Sequence, residues 1–128
     1  MFPSMIWLLW GHGLIKAAEF IKKLRDKRVA VFATLGAYAD SEHARKCIEN
    51  IISLFDKSCD VVGSFICQGA VSQKMIDMMT KMFPSGHPHA MNEARIKRLA
   101  DGKSHPDEKD LQNAREYFSA LKASVLAQ

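Results

Sequence analysis

Three short polar segments follow apolar runs in the sequence and carry the residue types that could bind a ligand: Trp10–Gly13 (WGHG), Thr34–Asp40 (TLGAYAD) and Gln68–Val71 (QGAV). In the middle segment Gly36 lets backbone N–H groups approach a ligand closely. Thr34 and Tyr38 offer hydroxyls there, and the Tyr38 ring offers a stacking surface for a planar molecule. The same residues also read as an ordinary strand-to-helix connection. His87-Pro-His89 invites a metal ion, but no cysteines or carboxylates stand around it at a familiar ligand spacing. His105 reads as a helix-entry residue and His43 as the surface of a helix. Cys47, Cys59 and Cys67 are odd in number and form no C-x-x-C pair, so they give neither a disulfide framework nor a zinc site. Cys47 falls on an apolar helix face and Cys67 ends a strand. With no His or cationic neighbour in view, both read as structural thiols. No G-x-G-x-x-G or Walker loop is present to cradle a phosphate.

These segments must be positioned by regular elements, and the hydrophobic periodicity outlines them. Met5–Trp10 is a six-residue apolar run ending at Gly11, consistent with a short buried strand. Leu14, Ala17, Ile21 and Leu24 recur at helical spacing, with Lys16, Glu19, Lys22, Lys23 and Arg25 on the other face. Val29–Ala33 is a continuous apolar run, the pattern of a strand covered on both faces in a parallel sheet. Thr34–Ala37 reads as the turn after it. Asp40 or Ser41 can cap a helix whose stripe is Ala44, Cys47, Ile48, Ile51, Ile52 and Phe55. Asp60–Cys67 predicts another strand, which makes a right-handed βαβ unit. Ser72 can cap a helix bearing Met75, Met78, Met79 and Met82, a stripe that reads as core packing or as an adaptable partner surface. Residues 84–88 stop that helix. A short charged helix is predicted over 92–100. Ser104–Glu108 looks like a helix start with Pro106 near the first helical position. The final helix is expected to bury Leu111, Ala114, Phe118, Leu121 and Val125.

The expectation is therefore an α/β fold with two or three parallel strands and flanking helices, in one domain over residues 1–128. The 128 residues carry a net charge of +4, too small a surplus to point to nucleic acid. The basic run Lys22–Arg28 has no interleaved aromatics to stack bases, so no nucleic-acid partner is expected. A membrane helix needs about 20 apolar residues, and the run at Met5–Trp10 is far shorter, with no basic flank before it. Neither a membrane span nor a signal peptide is expected, and the cytoplasm is the compartment that the free thiols suit.

Four separated motifs then point to a family. The run VAVFATLGAYADSEH over 29–43, GSFICQG over 63–69, GHPHAM over 86–91 and HPDE over 105–108 closely resemble a flavodoxin-like family of bacterial and archaeal proteins. The resemblance covers nearly the whole chain. It implies a three-layer fold around a parallel sheet of order 2-1-3-4-5, with FMN at the carboxyl edge. By the same resemblance Trp7 and Gly11 match a W-x-x-x-G segment beside the flavin ring. Thr34, Leu35, Gly36, Ala37 and Tyr38 match the loop bordering that ring, and Gln68 and Gly69 end a strand close by.

The resemblance also implies that this chain corresponds to the carboxyl-terminal portion of such a domain. The first strand and the Ser/Thr-rich phosphate loop have no counterpart, so the domain is expected to be a truncated one. Its open sheet edge would be completed by a homodimer, a larger oligomer or a separate chain. Two functions follow as expectations. One is a flavodoxin-like protein carrying out FMN-dependent electron transfer or reduction with a redox partner or small substrate. The other is a cofactor-free half-domain that folds as an oligomer and has no activity of its own. A protein-interaction role for the Met-rich helix is a third.

Overall fold

A computed structural model describes residues 4–9, 14–83, 86 and 90–127, with residues 4–9 and 14–15 described by their backbone. Trp10, Gly11, His87 and His89 lie outside the described residues. Strands β1 (Ser4–Leu9), β2 (Arg28–Leu35) and β3 (Asp60–Gln68) form one parallel sheet in the order β1-β2-β3. Helix α1 (Leu14–Lys23) joins β1 to β2, and α2 (Glu42–Ser53) joins β2 to β3. Helices α3 (Gln73–Met82), α4 (Glu93–Gly102) and α5 (Glu108–Leu126) follow. The α/β class and the three-strand alternative are both realised. No helix among the described residues is long and apolar enough to cross a membrane.

The continuous apolar run at Val29–Ala33 is explained by cover on both faces of β2. Val29, Val31 and Ala33 face a core shared with Ile21 of α1 and Ile51 of α2, joined by Ala17, Leu24, Ile48 and Ile66 at its margins. Burying a valine or isoleucine completely contributes about 1.5–3 kcal/mol, and Ile21, Val29 and Val31 are the largest such side chains. On the opposite face the register sets Phe32 beside Phe65, with ring centroids 5.7 Å apart. Phe118 of α5 lies 6.2 Å from both rings, and Tyr117 meets it edge-on at 5.2 Å. The Tyr117 hydroxyl accepts the Ser64 N–H at 2.9 Å. Gly63 leaves room for this contact, since a Cβ there would come within 2.7 Å of that hydroxyl.

Helix boundaries follow local chemistry. Ser41, Ser72 and Asn92 each accept a backbone N–H from the residue three positions on, satisfying an orphan donor of the first turn. Four expectations need correction. Thr34 and Leu35 extend β2 instead of turning, because Leu35 still pairs with Gln68 across the ladder. The last helix starts after Asp107, not near Ser104, because Asp107 and Asp110 form a reciprocal capping box and Pro106 stands outside it. That helix buries none of its side chains: Leu111 is 43% exposed, while Ala114, Phe118, Leu121 and Val125 are half-buried. It lies over β3 at the margin of a narrow sheet, which limits the cover available to it. The Met stripe of α3 is likewise not core: no residue of that helix is buried, and Met82 is 61% exposed.

Candidate functional site at the carboxyl edge of the sheet

The ends of β2 and β3 are tied together at the edge where open α/β sheets bind ligands. Gly69 N–H donates to the Leu35 carbonyl at 2.8 Å. The Gln68 side chain, only 7% exposed, donates through Nε2 to the Arg98 carbonyl at 3.0 Å and to the Gly36 carbonyl at 3.4 Å. One buried amide thus joins the loop after β2 to α4. Gly102 of α4 packs against that amide, and a Cβ there would sit 3.2 Å from Nε2. Gly36 is explained by packing as well, since a Cβ would meet Val71 Cγ2 at 2.5 Å.

The loop places its side chains on two sides. Leu35 and Ala37 turn inward, into a cluster with Ala44 and Cys47. Tyr38 turns outward, with 37% of its surface exposed. Its backbone carbonyl accepts the Ser41 hydroxyl at 2.6 Å, and the same hydroxyl caps α2. Its own hydroxyl donates to Asp101 Oδ2 at 2.6 Å, an oxygen that also accepts from Lys97 Nζ at 2.9 Å. The hydrogen bond to Asp101 pushes the Tyr38 phenol up from its ordinary value, and the bonds from Tyr38 and Lys97 hold the Asp101 carboxyl down.

Beside this pair is a cleft of about 470 Å³ lined by Tyr38, Asp40, Gln68, Asp101, His105 and Asp110 among others. His105 Nδ1 lies 2.5 Å from Asp110 Oδ2. That bond raises the imidazole pKa. Burial pushes the Asp110 carboxyl up, but the Asp107 N–H and His105 outweigh it and leave the group below its ordinary value. His105, Asp107 and Asp110 bring ligand-type atoms within 4.8 Å of one another. The two carboxylates are engaged in the α5 capping box, which accounts for their closeness without an ion.

The sequence of the Flavodoxin domain family matches this chain over residues 6–119. The chain belongs to that flavodoxin family. It is also 26% identical over 122 residues to a flavodoxin-like domain-containing protein, BilS, of Clostridioides difficile (strain CD3), a match covering 94% of this chain and 69% of that protein.

Members of the flavodoxin family are generally flavin-binding, so the candidate residues can be set against a flavin. Thr34, Leu35, Gly36, Ala37, Tyr38, Gln68 and Gly69 are brought together at one sheet edge. Trp7 pairs with Phe32 in the β1–β2 register, two positions before the end of β1. Gly11 lies outside the described residues. The exposed, tethered Tyr38 ring and the loop backbone suit a planar ring system. Leu35, Ala37, Gln68 and Gly69 are buried among protein groups and shape the loop from behind. None of the nine candidate residues is cationic, and Thr34 and Tyr38 are the two among them that carry a hydroxyl.

Sequence reading missed Asp101 and Lys97, and it saw His105 only as a helix-entry residue. The Asp107-x-x-Asp110 spacing was a legible signal for the capping box. Nothing local marks Asp101. The cysteines are free thiols. His43 Nε2 lies 3.7 Å from Cys47 Sγ, a neighbour the sequence reading did not see, yet burial pushes that thiol up. Cys67 is pushed up to about 11, by burial first and then by Asp110 and Asp107, so it stays protonated at neutral pH.

Proposed function

We propose that this flavodoxin-family chain binds FMN at the carboxyl edge of its sheet and serves in electron transfer or reduction. The observation that carries the reading is Tyr38, three residues beyond β2, whose exposed ring is held at its hydroxyl by Asp101 while its backbone carbonyl accepts the Ser41 hydroxyl. When bound, FMN supplies the electron-transfer chemistry, and the protein supplies stacking and hydrogen bonds. In this reading Tyr38 stacks on the ring and the Gly36–Tyr38 backbone meets its polar edge. Trp7 and Gly11 match the family's W-x-x-x-G segment beside that ring, as the family resemblance implies. Electrons pass to and from a partner protein or small substrate. The free thiols suit a reducing compartment such as the cytoplasm.

The open edge supports a second element of the proposal. Among the described residues β1 pairs only with β2, which leaves one row of its backbone groups without a strand neighbour. Unpaired edges invite pairing with another chain, and a second copy of the chain is the cover proposed.

The deciding experiment is a titration of FMN with purified protein, followed by quenching of flavin fluorescence. Quenching at micromolar protein, weakened roughly tenfold by Tyr38→Ala as expected from the loss of a stacking face, supports the reading. No quenching at high protein concentration favours the cofactor-free half-domain instead.

A further inference from the structure

We propose that Asp101 is a positioning residue for the flavin, acting through Tyr38; the inference rests on the flavin-binding reading above. Tyr38 sits on an exposed loop, and a ring held only by its backbone would lose rotational freedom on stacking against a ligand. That ordering cost falls when the ring is already fixed. Asp101 supplies the fixing point, and it is itself held in place. Lys97, one helical turn earlier, bonds the same carboxylate oxygen. Helix α4 is fastened to the sheet by the Gln68 amide on the Arg98 carbonyl, and Gly102 is buried against Gln68 and Gly69.

The contacts therefore close a circuit: from Gln68 at the end of β3 to Arg98, along α4 to Asp101, across to Tyr38, and back through Gly36 to Gln68. Helix α4 thus fixes the ring-bearing loop through its tip as well as its backbone. The carboxylate has a second effect, electrostatic in kind. A fixed negative charge behind the Tyr38 ring disfavours electron gain by a neighbouring redox group, and charge near a flavin is one of the levers that tune it. Lys97 offsets this in part, since it shares the oxygen.

The test uses the full chain and the variants D101N, Y38F and their combination, with FMN as ligand. Three quantities are read: the ultraviolet titration of the Tyr38 phenol in flavin-free protein, the FMN dissociation constant from fluorescence quenching, and the reduction potential of bound FMN. In D101N the phenol is expected to titrate at lower pH, FMN to dissociate about three- to tenfold more readily, and the potential to rise. Y38F is expected to weaken FMN binding by a similar factor, with the double variant no weaker than the worse single one, because both remove the same bond.

Unchanged FMN affinity and potential in D101N, alongside a lowered phenol titration, would overturn the positioning role while leaving flavin binding intact. An unchanged phenol titration would show that the bond is not made in solution and overturn the proposal directly. Absence of FMN binding by the unaltered chain would remove the flavin reading and the positioning role together, and the phenol titration would still report whether the bond exists. If D101N does not fold, the Y38F affinity decides the matter: a value equal to the unaltered protein's rejects the proposal.

Discussion

His105 Nδ1 and Asp110 Oδ2 stand 2.5 Å apart, and the same carboxylate oxygen accepts the Asp107 N–H at 2.9 Å. A side-chain pair and a helix cap thus share one atom, which couples the protonation of His105 to the start of α5.

The stability of that junction should depend on pH in a definite sense. The bond to Asp110 raises the folded pKa of His105 above its ordinary value of 6.5, so its contribution is fully present below 6.5 and is lost as pH rises through the folded value. The folded pKa of Asp110 is lowered from 3.8, so its contribution is present above 3.8 and is lost as pH falls through the folded value. The pair therefore stabilises most between about 4 and 6.5. Thermal unfolding of the protein and of His105→Gln across pH 3–9 checks this. The difference in Tm should be largest in that window and shrink on both sides; a pH-independent difference would reject the coupling.

Gly36→Ala separates a packing reason for this glycine from a ligand reason. The added Cβ falls 2.5 Å from Val71 Cγ2, and overpacking of this kind costs about 1–3 kcal/mol. Chemical denaturation of G36A without ligand should show the loss, and G36A/V71A should recover most of it. If G36A is as stable as the parent, the contact with Val71 does not explain the residue.

Core and surface apolar positions should separate sharply. Ile21 is 1% exposed at the centre of the main cluster, and Ile21→Ala should cost about 2–5 kcal/mol. Met82→Ala, on the open side of α3, should stay within about 0.5 kcal/mol. Comparable losses for the two in urea unfolding would mean that α3 is covered in solution.

The sheet edge makes a prediction about assembly. Size-exclusion chromatography with light scattering at micromolar concentration should give a dimer or larger species. A monodisperse monomer would dispose of the homodimer.

Much of this architecture could be read locally. Ser72 announced its helix by type and position, Asp40 or Ser41 announced the helix before it, which Ser41 caps, and the Val29–Ala33 run announced a strand covered on both faces. The end of β2 could not be read in the same way. Thr34 and Leu35 resemble a turn until the ladder to Cys67 and Gln68 is known, because pairing depends on a partner strand that local pattern does not reveal. The Met stripe of α3 has the periodicity of a core helix, but periodicity cannot say whether a surface is available to receive it. At the site, Tyr38 and Gly36 stood out by residue type. Asp101 did not, since its contact with Tyr38 bridges 63 residues and exists only after α4 is docked.

The parallel sheet also governs how the chain reaches this state. Among the described strands no two are joined by a hairpin; Arg28 and Asp60, which begin the β2–β3 ladder, are 32 residues apart. Each rung requires a long segment to be looped back before any pairing compensates the lost chain entropy. Refolding should therefore be slower than that of a helical bundle of equal length. Until the ladder closes, the apolar run Val29–Ala33 is open to other chains, so refolding yield should fall as protein concentration rises.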